Sequence, residues 1–254
     1  MVNEILPRRG NGDVNEVEIV ICEHEALALR GALATPSGPG PHPAVLVVHN
    51  AFGLGTHMRQ VIQDLAAEGY VALAVDMYGD GAYSEDEGVV GGLVAPLWGN
   101  SERLRARMGA WHDVLKARPE VAPDRIAALG YCFGGMCVLE FARGGGDVRA
   151  VVSYHGILTT AEPAAKGVVT AHVAVHTGGR DPHVPAADVA ALRAELIDAE
   201  ADWQIAEYAH AYHAFTDPAA DDPKNGRAYD ALADRLSWAS TLALLDLKLR
   251  GAEV

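Results

Sequence analysis

Strand-length apolar runs recur along the chain at residues 17–21, 27–33, 44–49, 71–76, 126–130, 151–154, 173–176 and 204–208. The first two alternate apolar and polar positions and are separated by Glu23-His24-Glu25, the pattern of an antiparallel pair at a sheet edge with one solvated face. Residues 44–49 and 71–76 are almost continuously apolar, as parallel strands covered on both faces are. Between the runs, helical periodicity spans 56–69, 102–118, 134–143, 186–199 and 224–250, with Val189, Leu192 and Leu196 marking one apolar stripe in the fourth. This alternation predicts an α/β fold: right-handed βαβ crossovers, a mostly parallel central sheet with helices on both faces, and ligands at the carboxyl ends of the strands.

Nothing in the composition divides the pattern. The biased segments Gly38-Pro39-Gly40-Pro41 and Gly144-Gly145-Gly146 read as short turns, so residues 1–254 are expected to form one domain. Residues 79–100 break the regularity: they follow a strand, are rich in Gly and acid, and then carry Leu93, Leu97 and Trp98. Such a long connection is expected to serve function, here as a cap loop over the strand ends. With 34 acidic against 20 basic residues, the formal charge of −14 excludes nucleic acid from the expected partners, because that binding rests on phosphate neutralisation. No apolar run approaches the roughly 20 residues of a spanning helix. The first 13 residues show no hydrophobic stretch behind Arg8 and Arg9, so neither membrane insertion nor export is expected. Cys22, Cys132 and Cys137 lack paired metal spacing and suit a reducing cytoplasm better than a disulfide scaffold. Oligomeric state is left open.

Most of the chemistry lies in one stretch. A buried strand runs into Gly130-Tyr131-Cys132-Phe133-Gly134-Gly135-Met136, a G-x-C-x-G turn followed by an apolar helix. This is the spacing of a nucleophile elbow with Cys in the Ser position: the reactive side chain sits on a tight strand-to-helix turn, and Gly130 and Gly134 leave room where backbones approach. The helix amino end then faces the sulfur and favours the thiolate. Cys22 and Cys137 are expected in the core. A thiol nucleophile needs a base and an orienting acid, which on such a sheet follow it in the order acid, then histidine. Asp181 closes the Gly-rich turn after the strand at 173–176, and His213 follows the strand at 204–208. These two are the expected partners of Cys132, with His210 as a rival base and helix capping as the plainer role for Asp181.

Together with Asn50-Ala51-Phe52-Gly53, Gly69-Tyr70, Asp76-Met77-Tyr78, Tyr154-His155-Gly156, Gly179-Arg180-Asp181-Pro182-His183-Val184-Pro185 and His213-Ala214-Phe215, the elbow resembles the dienelactone hydrolase family, the Cys-dependent branch of the α/β-hydrolases. The resemblance extends from residue 44 to residue 215. It implies the α/β-hydrolase fold and hydrolysis of small esters or lactones through an acyl-cysteine. It also implies Cys132, His213 and Asp181 as nucleophile, base and orienting acid, with an oxyanion hole from the backbone N–H groups of Phe133 and Ala51.

Two positions depart from the family's pattern. Asn50 stands where dienelactone-cleaving members carry a glutamate that contacts the nucleophile; an amide cannot take the thiol proton, which leaves thiolate formation to His213. Asp217 stands where those members carry an arginine for the substrate carboxylate, and an acid there repels an anion. Arg103, Arg105 and Arg107 read as a solvated helix face. Asn50, Phe52, Tyr78, Trp98, Tyr131, Tyr154, Tyr212 and Phe215 are candidate walls of a pocket for a small-molecule ester or lactone, core packing being the default for each aromatic. His49, His155, His172, His176 and His183 lack metal-ligand spacing, and nucleotide-binding glycine motifs are absent, so no metal and no cofactor are expected. The competing readings are a general carboxylesterase or thioesterase for neutral substrates, and a non-catalytic binding or redox-sensing protein that uses Cys132.

Overall fold

The computed structural model describes residues 12–251; residues 1–11, most of the segment read for export signals, lie outside them. Eight strands, β1 (Glu18–His24), β2 (Leu27–Ala34), β3 (His42–Val48), β4 (Val71–Val75), β5 (Val121–Tyr131), β6 (Ala150–Tyr154), β7 (His172–Gly178) and β8 (Trp203–Tyr208), form one sheet in the order β1-β2-β4-β3-β5-β6-β7-β8. β1 and β2 pair antiparallel at one edge, β2 meets β4 antiparallel, and every pair from β4 through β8 is parallel. β1 runs through His24, so the expected three-residue link shrinks to Glu25-Ala26. Both take positive φ, 50° and 61°, the backbone of a two-residue type I′ hairpin.

Alternation along the strands sends side chains to two cores. Leu46 and Val48 of β3 face one side, with Trp111 and Met108 of α3 (Ser101–Lys116), Cys137 of α4 (Phe133–Arg143), and Leu192 and Leu196 of α5 (Ala186–Asp198). Val45 and Val47 face the other, with Met58, Ile62 and Leu65 of α1 (Thr56–Ala67) and Trp238 and Leu245 of α6 (Ala231–Leu245). Each such side chain withdrawn from water contributes about 1.5–3 kcal/mol. Cys22 and Cys137 are both buried.

Two expected elements differ. Residues 79–100 contain α2 (Glu87–Val94), started by Asp86, whose side chain accepts from the Val89 N–H at 3.0 Å. The last helix begins at Ala231, not at residue 224. Asp230 caps it by accepting from the N–H groups of Leu232 and Ala233, each at 3.0 Å. Ahead of it, β9 (Asp221–Asp222) and β10 (Arg227–Ala228) pair around a single 3-10 turn, Pro223–Asn225. Among the described residues, no helix is long and apolar enough to cross a membrane.

Candidate active site

The carboxyl ends of β3, β5, β7 and β8 converge on Cys132. β5 passes directly into the elbow, where Cys132 adopts φ 54° and ψ −114° before α4 begins at Phe133. A positive φ at a residue with a Cβ costs of order 1–3 kcal/mol and persists only where the surroundings impose it. Here backbones pack closely on both sides of the turn. A Cβ on Gly130 would lie 2.0 Å from the carbonyl oxygen of Gly134, and one on Gly134 would lie 2.3 Å from that of Val48. The Cys132 N–H donates to the carbonyl of Tyr154 at 2.9 Å, tying the elbow to β6.

His213 hydrogen-bonds the Cys132 sulfur, and its Nδ1–H donates to Oδ2 of Asp181 at 2.8 Å. The other carboxylate oxygen of Asp181 accepts from the His183 N–H at 2.8 Å, which fixes its plane. Backbone bonds brace His213 as well: its N–H donates to Gly226 at 2.9 Å and its carbonyl accepts from Ala228 at 3.1 Å, so the β9–β10 hairpin holds the histidine loop. His210, by contrast, is exposed. The sulfur also receives the backbone N–H groups of Phe133 and Ala51.

Burial is the largest single influence on the Cys132 thiol and opposes its ionisation. The positive charge and hydrogen bond of His213, with the two N–H groups, outweigh it and hold the thiol below its ordinary range. Burial likewise disfavours a charged His213, but the sulfur and Asp181 hold its imidazolium and raise its pKa. Both shifts favour a thiolate beside an imidazolium. His155, whose ring lies 5.1 Å from that of His213, is pushed well below its ordinary range by burial and then by the neighbouring charge of His213, so it stays neutral.

The sulfur opens onto a cavity of about 380 Å³. Asn50, Ala51, Phe52, Trp98, Tyr131 and Phe133 line it, as does one face of α2 through Val90 and Val94. Tyr78, Tyr154 and Phe215 do not. The Tyr78 hydroxyl turns away and donates to the carbonyl of Ala51 at 2.9 Å. Tyr154 is buried beneath Tyr131, with ring centroids 4.7 Å apart, and Phe215 packs edge-on against His155 in the interior. Tyr212 is likewise absent from the lining. Of the arginines of α3 only Arg103 keeps the expected solvated side chain; Arg105 is half-buried and Arg107 is enclosed. Arg107 is buried, donating to the Met77 carbonyl at 2.6 Å and pairing with Glu25 at 2.9 Å; Arg105 pairs with Glu140 and Glu162, and Arg103 with Glu25. Their carboxylate partners come from distant segments, which helical spacing alone does not show.

His57, His155, Ile157, His183, Asp217 and Arg227 complete much of the lining. The apolar pairs Val89-Val90 and Leu93-Val94 were the available signal for α2; Arg227 reaches the site from a two-residue strand that has no periodic signature. Arg227 is the only Lys or Arg among the described lining residues, and it lies 5.7 Å over the Phe52 ring and 3.9 Å from Asp222. Asp217 approaches Nδ1 of His57 at 3.9 Å. Among the described residues, no group of three or more His, Cys, Asp or Glu side chains is arranged to hold a metal ion.

The strand order and the elbow after β5 define an α/β-hydrolase. The family model for the dienelactone hydrolase family matches residues 29–248. A solved structure named m3DLH is similar at 35% identity and a TM-score of 0.88, over 94% of this chain and 100% of its own. A dienelactone hydrolase-like promiscuous phosphotriesterase from metagenomic libraries is similar at 34% identity and a TM-score of 0.87, over 93% of this chain and 99% of its own. An uncharacterised protein of Caenorhabditis elegans is 36% identical over 146 residues, 56% of this chain and 92% of that protein. The chain belongs to the dienelactone hydrolase family, and it is a hydrolase.

Proposed function

We propose that the protein hydrolyses small esters or lactones through an acyl-cysteine on Cys132. The observation that carries this reading is the convergence of three donors, His213 and the N–H groups of Ala51 and Phe133, on one sulfur at the floor of a largely apolar cavity. The thiolate attacks the carbonyl carbon, forming the C–S bond, and the carbonyl oxygen takes the negative charge. In that position the N–H groups of Ala51 and Phe133 receive it, a contribution of about 10²–10³ per donor. As the C–O bond breaks, the imidazolium of His213 gives its proton to the leaving alcohol. Neutral His213 then takes a proton from water, whose oxygen attacks the thioester and restores the thiolate. Asp181 holds the ring in the tautomer with the proton on Nδ1, leaving Nε2 to handle protons. Asn50 has no part in that transfer: its side-chain oxygen accepts from the Phe52 N–H at 2.9 Å and shapes the turn.

Neutral substrates fit the lining better than anions do. Asp217 faces the cavity, and an adjoining cavity of about 540 Å³ adds Glu85, Asp221 and Asp222, while Arg227 is engaged by Phe52 and Asp222. This favours a carboxylesterase-like range over strict dienelactone cleavage. We also assign α2, at the mouth, as the cap of what we take to be a single catalytic domain. Rapid acid quench of the enzyme with p-nitrophenyl acetate, followed by peptide mass spectrometry, is expected to find the acetyl group on the Cys132 peptide. An acetyl group on any other residue, with Cys132 unmodified, contradicts the mechanism.

A further inference from the structure

The peptide unit between Asn50 and Ala51 has its N–H on the Cys132 sulfur, so its orientation decides whether one of the two oxyanion donors exists. The carbonyl of that same unit, on Asn50, lies 2.6 Å from Nδ1 of His49, and the Gly53 N–H donates to it at a longer 3.2 Å. The second ring nitrogen of His49, Nε2, accepts the Met77 N–H at 3.1 Å. A backbone N–H can only donate, so Nε2 is unprotonated and the ring proton sits on Nδ1, where the Asn50 carbonyl is its acceptor. His49 is fully buried, and burial favours this neutral ring.

Met77 is itself fixed. Arg107 donates to its carbonyl at 2.6 Å, and Trp111 Nε1–H donates to the carbonyl of Asp76 at 2.8 Å. The Asp76 side chain gathers the N–H groups of Tyr78, Gly79 and Gly81 at 2.8–2.9 Å. The turn after β4 is therefore a rigid strut, and His49 bridges it to the turn after β3 that carries Ala51.

We propose that His49 is a positioning residue for the oxyanion hole: held by the Met77 N–H at Nε2, it fixes the Asn50–Ala51 peptide so that the Ala51 N–H points at the developing oxyanion. The inference rests on the reading of Cys132 as nucleophile and Ala51 as oxyanion donor. His49 touches neither substrate nor sulfur in this role. Its effect is preorganisation, which is where an oxyanion donor gains its catalytic value. Because the Gly53 N–H still holds the carbonyl when His49 is gone, the expected loss is less than that of a whole donor, about 10- to 100-fold in kcat.

Two near-isosteric variants separate the halves of the bridge. In His49→Asn the amide nitrogen stands where Nδ1 stood and keeps the bond to Asn50 while losing the Met77 acceptor. In His49→Gln the longer side chain carries its amide to the Nε2 position, where its oxygen can accept from Met77, and leaves the Nδ1 position facing Asn50 without a donor. With p-nitrophenyl acetate, His49→Gln is expected to lose about 10- to 100-fold in kcat with KM within about twofold, and His49→Asn to recover most of it. Acetaldehyde supplies a readout that a merely structural role would not move. The thiolate adds to its carbonyl carbon: a C–S bond forms, the C=O π bond breaks, and its electron pair stays on oxygen as an alkoxide held in the hole beside the imidazolium of His213. Its inhibition constant should rise in His49→Gln by the factor lost from kcat, whereas iodoacetamide alkylation of Cys132, compared on the high-pH plateau of each protein where the sulfur is fully ionised and no oxyanion is built, changes little. Wild-type kcat in His49→Gln, or equal loss in both variants at wild-type Tm, overturns the proposal. If neither variant folds, the His49 Nδ1–H resonance of ¹⁵N-histidine-labelled wild-type protein decides: it should shift on acetaldehyde addition, and an unmoved signal overturns the role. Turnover that survives Cys132→Ala is a different failure, since it removes the nucleophile on which the inference rests.

Discussion

At Cys132 the decisive quantity is the charge on one sulfur atom. Burial alone would keep the thiol protonated; the neighbouring imidazolium and two backbone N–H groups reverse that balance. A free thiol titrates near pH 8.5, and only its thiolate alkylates rapidly. In the folded protein the iodoacetamide rate of Cys132 should therefore hold as pH falls below that value, declining only once pH passes the lowered folded pKa. His213→Gln removes the cation, so the decline should move to higher pH. A profile identical in the two proteins would show that the histidine does not set the charge of the sulfur. Cys132, Asp181 and His213 could be named from sequence because each follows a strand in a fixed order and the elbow spells itself out in glycine spacing. His49 could not, since its partners Met77 and Asn50 are chosen by how two turns meet across the sheet.

At the level of elements, the elbow is a junction between β5 and α4 that tolerates no added atom. Gly134→Ala would place a methyl carbon 2.3 Å from the Val48 carbonyl oxygen and 2.6 Å from that of His49, both backbone atoms of the β3 end. Since neither can retreat without moving the turn that carries Ala51, the expected outcome is a loss of about 1–3 kcal/mol in denaturant unfolding together with reduced turnover. Wild-type stability and turnover in this variant would mean that the close approach is not needed. The strands were legible because buried parallel strands are nearly all apolar, as in residues 44–48 and 71–75. The region after β8 was harder to read. Pro223 immediately precedes the helix expected from residue 224 and Gly226 falls inside it, and in the structure both shape the β9–β10 turn that secures His213. Residues 79–100 hid α2 for a different reason: with Gly88, Gly91 and Gly92 its intrinsic helix propensity is low, and the Asp86 cap gives the clearest local start.

Across the whole molecule, an excess of acid coincides with an acid-lined approach to the cavity. The formal charge is −14, and Asp217, Glu85, Asp221 and Asp222 cluster about the two adjoining cavities. Such a field disfavours anionic substrates and is screened by salt, with a Debye length of about 10 Å at 0.1 M. For a neutral p-nitrophenyl ester and an anionic analogue of equal length, kcat/KM should favour the neutral one. Added salt or Asp217→Asn should narrow the gap, and a preference for the anion would contradict this electrostatic reading. The measurement that bears most directly on the whole scheme is steady-state hydrolysis of p-nitrophenyl acetate by the wild-type protein beside Cys132→Ala prepared identically. Turnover by the wild type and none by the variant is the outcome that a cysteine nucleophile requires. Equal rates in the two proteins would contradict it.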